Sequence, residues 1–341
     1  MKLARFCRLL VFVAILASAG CAGKESPTAD VQHASSLEAS IHDGTTWQEK
    51  WEILSAQLQN DGLDAEKTRD LFSRMDTPPT LIPMGTKVRE LYSIRFQPKP
   101  KAKPKVSPKP QKVGRKSLAN KLGVPGPWFA GVVTKANAQA CREFIRNYRS
   151  AFTFSEKRWG VPPEVAAALL FVETRLGRFM GREKAFYSLA SMSVTRSPKA
   201  MAYYLDIPGI WDHLGWVRVR MDEKADWAYD ELKALLEYCF ANDIDPYSVP
   251  GSVYGAVGMC QFMPSNISRY AADGDGDGRI DLFSTPDSIA SLSQYLSRNG
   301  WKRGMSLKGQ IKVLMHYNRM EKYARTILAL ARSIKDLDRK R

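Results

Sequence analysis

One acid in this chain stands in apolar surroundings. From Gly160 the sequence reads Gly-Val-Pro-Pro-Glu and then VAAALLFVETRLG, closing at Gly177. Proline suits the first turn of a helix, and Glu164 there suits the helix dipole. The segment is nearly all apolar, so its helix is buried on most sides. Glu173 interrupts it. Its neighbours one turn away are Leu169, Leu170, Leu176 and Gly177, so its own face is apolar. Desolvation penalises a carboxylate and raises its pKa. A glutamate still protonated near neutral pH is what a general acid requires. The spacing alone leaves a second reading open, a structural ion pair with Arg175, Arg178 or a distant arginine.

A second group of acids has the spacing of a metal loop. In DGDGDGRIDLFSTPD, Asp273, Asp275 and Asp277 occupy positions 1, 3 and 5 of an EF-hand-like loop. Gly278 makes the sharp turn, Arg279 offers its carbonyl, Ile280 takes the apolar position and Asp281 is position 9. Alternate carboxylates on a tight turn suit a hard cation such as Ca²⁺. Position 12 departs from the pattern, with Ser284 in place of a bidentate glutamate. The alternative is an acidic solvated turn, weakened by the mutual repulsion of unneutralised carboxylates.

These residues need a scaffold, and the pattern predicts a mainly α one. Helical runs are expected over 138–158, 162–176, 222–242, 286–299 and 308–334, separated by turns rich in Gly, Pro and Asn. No series of alternating strands appears, and residues 122–341 read as one domain. Residues 46–96 carry helical apolar spacing through Trp47, Trp51, Leu54 and Leu58, broken at Pro78-Pro79, and read as a small helical segment without chemistry of its own. Residues 97–121, rich in Lys and Pro, read as an extended linker.

The charge of the 341-residue chain is uneven. Its net +16 includes nine basic and no acidic residues in 97–121, and three basic residues in 1–20. No aromatic residues interleave with the lysines, which argues against nucleic acid as a partner. Residues 1–20 combine a basic start with the apolar run Leu9 to Ala19, an export signal too short to span a membrane comfortably. Ala19-Gly20-Cys21 resembles a bacterial lipobox, with Ser18 where an aliphatic residue is usual. Cys21 is then the lipidated first residue of the mature chain, and 21–45 a flexible tether. Ala22 after the cysteine favours the periplasmic face of the outer membrane. Cys141, Cys239 and Cys260 remain in a disulfide-permissive compartment, where one bridge at most can form. Burial as small apolar residues is the simpler reading of each.

GVPPEVAAALLFVETRLGRFMG, LASMS, SVYGAVGMCQFMPS, DGDGDGRIDLFSTPDSIASLSQYL and HYN, in this order over roughly 140–330, resemble the membrane-bound lytic murein transglycosylase B family. The resemblance implies a lysozyme-like α domain acting on peptidoglycan glycan strands. Such an enzyme is a lyase. It cleaves the MurNAc–GlcNAc β-1,4 bond and leaves a 1,6-anhydro-MurNAc end. It implies Glu173 as the acid that protonates the glycosidic oxygen and then, as carboxylate, takes the proton from the C6 hydroxyl attacking C1. No second carboxylate is then required. It carries substrate contacts to Ser252, Gln261, Tyr295, Tyr317 and Asn318, although a tyrosine is as readily a core residue and Asn318 a cap. It places Asp287 as the last carboxylate of the metal loop, whose Ca²⁺ is structural. Cys260 stands where the family often has Gly. The family's basic pair after the LAxxS segment finds only Arg196 and Lys199 as stand-ins. Other cell-wall enzymes are conceivable partners. A muramidase-type hydrolase on the same fold and a non-catalytic peptidoglycan-binding lipoprotein are the competing readings.

Overall fold

The computed structural model describes residues 45–97 and 121–338. The export signal, the lipidation site Cys21, most of the tether and nearly all of the Lys/Pro linker lie outside these residues. Three helices open the described chain: α1 (Trp47–Asn60), α2 (Ala65–Ser73) and α3 (Ile82–Phe96). Thr46 and Glu49 start α1 by satisfying each other's backbone N–H, a capping box. After the linker come α4 (Lys135–Asn147), α5 (Arg149–Trp159), α6 (Pro163–Thr174) and α7 (Ala185–Ser193). The long α8 (Leu214–Ala241) precedes α9 (Ile267–Tyr270), α10 (Thr285–Arg298), α11 (Leu307–Tyr317) and α12 (Glu321–Asp338). The one sheet among the described residues is a two-residue antiparallel pair, β1 (Glu183–Lys184) with β2 (Pro250–Gly251).

The mainly helical class matches the expectation, with two runs divided. The run expected over 138–158 breaks at Tyr148, where ψ turns to 35° between α4 and α5. The run over 308–334 breaks at Asn318, which is extended. Each break is made by a residue that leaves the helical region and so changes the direction of the chain. α7 was not anticipated, because its sequence AFYSLASMS is buried almost all round and shows no amphipathic stripe.

α6 lies at the centre. Every residue from Val165 to Val172 is buried, and α4, α5, α10 and α12 surround it. The core is continuous from Trp51 in α1 to Ile334 in α12. Residues 46–96 are therefore not a segment apart. Phe72 meets Phe186 edge-on at 5.6 Å, the Tyr247 hydroxyl donates to the Leu71 carbonyl, and the Thr80 N–H donates to Ser191 Oγ. The Lys/Pro run suggests a boundary in sequence, but the apolar faces on either side of it bury against one another. Cys141, Cys239 and Cys260 are buried free thiols, which answers the disulfide question for these three.

Candidate active site

Glu173 is the penultimate residue of α6, and the end of that helix is held from several sides. Arg175 and Leu176 both adopt left-handed backbone, with φ of 55° and 62°. Such a conformation costs a non-glycine residue on the order of 1 kcal/mol. Thr174 Oγ1 donates to the Met259 carbonyl at 3.0 Å and accepts from the Gly177 N–H. These bonds join the helix end to the loop Ser252–Gln261 and stop α6 where Glu173 faces α12.

On α12, the Tyr323 hydroxyl donates to Glu173 Oε1. Burial raises the Glu173 pKa to about 7, and the Tyr323 hydrogen bond, by favouring the anion, opposes part of that rise. No other carboxylate among the described residues acts on it. The feared ion pair does not form: Arg175 lies over the Phe171 ring at 4.4 Å, on the side facing α4. Tyr323 went unmarked in the sequence. It is fully buried, and its one signal was a hydroxyl on the apolar face it shares with Ala324 and Ile327.

The remaining expected residues surround this carboxyl in different ways. The Tyr317 hydroxyl donates to the Cys260 carbonyl, and its ring stacks in parallel with Tyr323 at 6.5 Å. Tyr295 is buried, donates to the His316 carbonyl at 2.9 Å and touches Tyr317 at 4.9 Å. Its hydroxyl is engaged within the protein, so Tyr295 supports the site from behind. Asn318 is likewise buried and its Oδ1 accepts the Met320 N–H, so it shapes the start of α12. Ser252 Oγ accepts from the N–H groups of Tyr254 and Ala256, which leaves its own O–H to donate. Gln261 has φ of 50°. Its amide nitrogen donates to Met180 and Gly258 carbonyls, joining two walls, while its side-chain oxygen accepts no bond among the described residues. Arg196 pairs with Asp226 at 2.6 Å on the flank of α8.

The acidic loop lies directly behind. Met259 N–H donates to the Leu282 carbonyl, and Cys260 Sγ to the Ser288 carbonyl. A Cβ on Gly258 would stand 2.5 Å from the Leu282 oxygen, so only glycine permits this approach. Oxygens of Asp273, Asp275 and Asp287 gather within 4.8 Å of one another. Asp287 is buried and accepts from the N–H groups of Gly274 and Asp281. Asp273 accepts from those of Asp275, Gly276 and Gly278, which lower its pKa. Asp277 and Asp281 turn to the N–H groups of Arg279 and Phe283 and stand outside the gathered set of carboxylates. Three converging carboxylates fit a hard cation.

A sequence model described as the transglycosylase SLT domain matches residues 46–313. The membrane-bound lytic murein transglycosylase B of Escherichia coli (strain K12) is 31% identical over 185 residues, 53% of this chain and 44% of that protein. The match thus spans less than half the length of the curated relative. Among solved structures, the E. coli lytic transglycosylase Slt35 in complex with calcium has a TM-score of 0.58 at 19% identity, covering 86% of this chain and 94% of that one. Pseudomonas aeruginosa SltB3 in complex with NAG-NAM-pentapeptide has a TM-score of 0.60 at 17% identity, covering 86% and 80%. At these identities the likeness is one of fold, a mainly helical lysozyme-like fold.

Proposed function

Because the chain belongs to the family of transglycosylase SLT domains, we propose that it is a lytic murein transglycosylase. It cleaves the MurNAc–GlcNAc β-1,4 bond of peptidoglycan and leaves a 1,6-anhydro-MurNAc end. The observation that carries this reading is the isolated Glu173 carboxyl, raised to about 7 by burial and held by Tyr323. A carboxyl protonated near neutral pH donates its proton to the glycosidic oxygen as the oxocarbenium-like sugar forms. The resulting carboxylate, favoured by the Tyr323 hydroxyl, receives the proton of the C6 hydroxyl as that oxygen bonds to C1. The bond to the leaving sugar breaks, and the sugar's own oxygen takes the place of water. Hydrolysis by inversion needs a second carboxylate to activate water. Attack by the sugar's own C6 hydroxyl needs none, and the digestion products separate the two.

Ser252 and the free oxygen of Gln261 are positioned to meet sugar hydroxyl or acetamido groups, while Tyr295, Tyr317 and Asn318 hold the site in shape. Asp273, Asp275 and Asp287 would hold Ca²⁺, whose charge would offset the repulsion among them. Cys21 would anchor the chain by lipid to the outer membrane, in keeping with a relative described as membrane-bound. Among the described residues no helix is long and apolar enough to cross a membrane.

The deciding experiment digests purified sacculi with wild type and Glu173→Gln and analyses the products by mass spectrometry. Anhydro-muropeptides from wild type, reduced about a thousandfold in the variant, are expected. Hydrated reducing ends would identify a hydrolase, and unimpaired lysis by the variant would dismiss Glu173.

A further inference from the structure

Lys87 is an unusual residue for a helix interior face. It lies on α3 beside Met84 and Val88 and is only 4% exposed. Burying an ammonium costs free energy unless partners offset it. Glu90, one turn along the same helix, pairs with it at 3.3 Å. The ammonium also stands 4.1 Å from the centre of the Tyr254 ring, whose electron-rich face attracts a cation. Well-packed apolar side chains are often as stable as a buried pair of this kind, or more so. Stability alone therefore does not account for a lysine at this position.

Tyr254 is at the tip of the tight turn that presents Ser252. The Ser252 N–H closes the neck of this turn by donating to the Ala256 carbonyl at 2.9 Å. Ser252 Oγ spans its middle, accepting from the N–H groups of Tyr254 and Ala256. The Tyr254 side chain is buried, and its hydroxyl meets no hydrogen-bond partner among the described residues. The ring face, and not the hydroxyl, is what α3 grips. On another side, a Cβ on Gly255 would stand 2.5 Å from the Leu189 side chain of α7. The tip is thus held by α3 and α7, two helices that also pack on each other. A shift of the Tyr254 ring would carry its N–H along, and with it the Ser252 hydroxyl. Lys87 is not among the groups that act on Glu173, so its influence reaches the Ser252 side of the site and not the proton transfer.

We propose that Lys87 is a positioning residue for substrate binding: its ammonium, seated on the Tyr254 ring, fixes the turn that aims the Ser252 hydroxyl at the sugar. The proposal rests on the reading of Ser252 as a glycan contact. It adds that α3, on the far side of the Lys/Pro linker in sequence, sets the geometry of that contact without touching the substrate.

The test measures steady-state cleavage of purified glycan strands by the full chain, counting anhydro ends by mass spectrometry, so that kcat and KM are read separately. Lys87→Met should raise KM about fivefold, with a much smaller change in kcat and no movement of the alkaline limb of the pH–rate profile. A protein that is merely destabilised does the reverse, losing kcat through fewer folded molecules at an unchanged KM. Lys87→Arg keeps a cation over the ring and should recover most of the KM. Tyr254→Leu should raise KM as Lys87→Met does, and the double variant should be no worse than either. Tyr254→Phe keeps the ring and should lose much less. An unchanged KM in Lys87→Met, or additive losses in the double variant, overturns the assignment. If Lys87→Met does not fold, the Tyr254 pair decides, and an equal KM for the Leu and Phe variants overturns it. Ser252→Ala separates the proposal from the reading beneath it. A raised KM there, with Lys87→Met at the wild-type value, overturns Lys87 alone. An unchanged KM in Ser252→Ala overturns Ser252 as a contact, and the proposal with it.

Discussion

Two influences of opposite sign meet at Glu173. Burial favours the protonated acid, and the Tyr323 hydroxyl favours the anion. In the proposed mechanism Glu173 first donates and then accepts a proton, and it needs both. The acid must be protonated at the start of the cycle, so kcat/KM should fall about tenfold per pH unit above 7. Tyr323→Phe removes the donor to the charged form, so the pKa should rise and the alkaline limb of the pH–rate profile should move to higher pH, with a lower kcat. An unmoved limb would show that Tyr323 only fills space. The same shift affects stability. With a folded pKa near 7 against an ordinary 4.5, the folded state binds the proton more tightly than the unfolded chain. The cost is absent below about 4.5, grows as pH rises and is complete above 7. It amounts to about 3 kcal/mol. Glu173→Gln should therefore raise the melting temperature over wild type at pH 8 and much less at pH 4.5, as read by thermal melts at both values.

At the scale of elements, the end of α6, the loop Ser252–Gln261 and the acidic loop form one stack. Thr174 bonds Met259, Met259 bonds Leu282, and Asp287 ties both arms of the acidic loop through Gly274 and Asp281. Calcium on that loop should stiffen the wall that carries Gln261. Excess calcium should raise the melting temperature of the wild type by several degrees, following a gain of about 2–3 kcal/mol at saturating metal. Asp287→Asn should lose most of that rise. A wild-type melt indifferent to calcium and to chelator would remove the metal from the account.

For the whole molecule, helices α1–α3 extend the core, α3 packing against α7 and α8. Met84 and Val88 are fully buried, and the Lys87 ammonium lies 4.1 Å above the Tyr254 ring, in the loop of Ser252 and Gln261. A Cβ on Gly85 would meet Met201 and Tyr204 at 2.9 Å, a measure of how closely α3 approaches the rest. A chain starting at residue 122 should therefore expose a large apolar face, bind a hydrophobic dye and lose its cooperative melt. A truncated chain that melts as cooperatively and at the same temperature as the full one would restore residues 46–96 to an independent segment.

The acid, the spaced aspartates and the helical class were legible from residue order, because each depends on local matters: a charge among apolar neighbours one turn away, alternate carboxylates around a glycine, and a helical period. Sequence could not decide between Glu173 as an acid and Glu173 as half of an ion pair, because Arg175 sits two residues away in either case. The left-handed turn after Thr174 rules out the pair with Arg175 by sending that arginine to the α4 side, while Tyr323, 150 positions along the chain, comes to the carboxyl. The roles of Tyr295 and Asn318 likewise followed from burial and from which atoms their polar groups meet. Only tertiary contacts could supply that, because a side chain's surroundings in a packed core come mostly from distant parts of the chain.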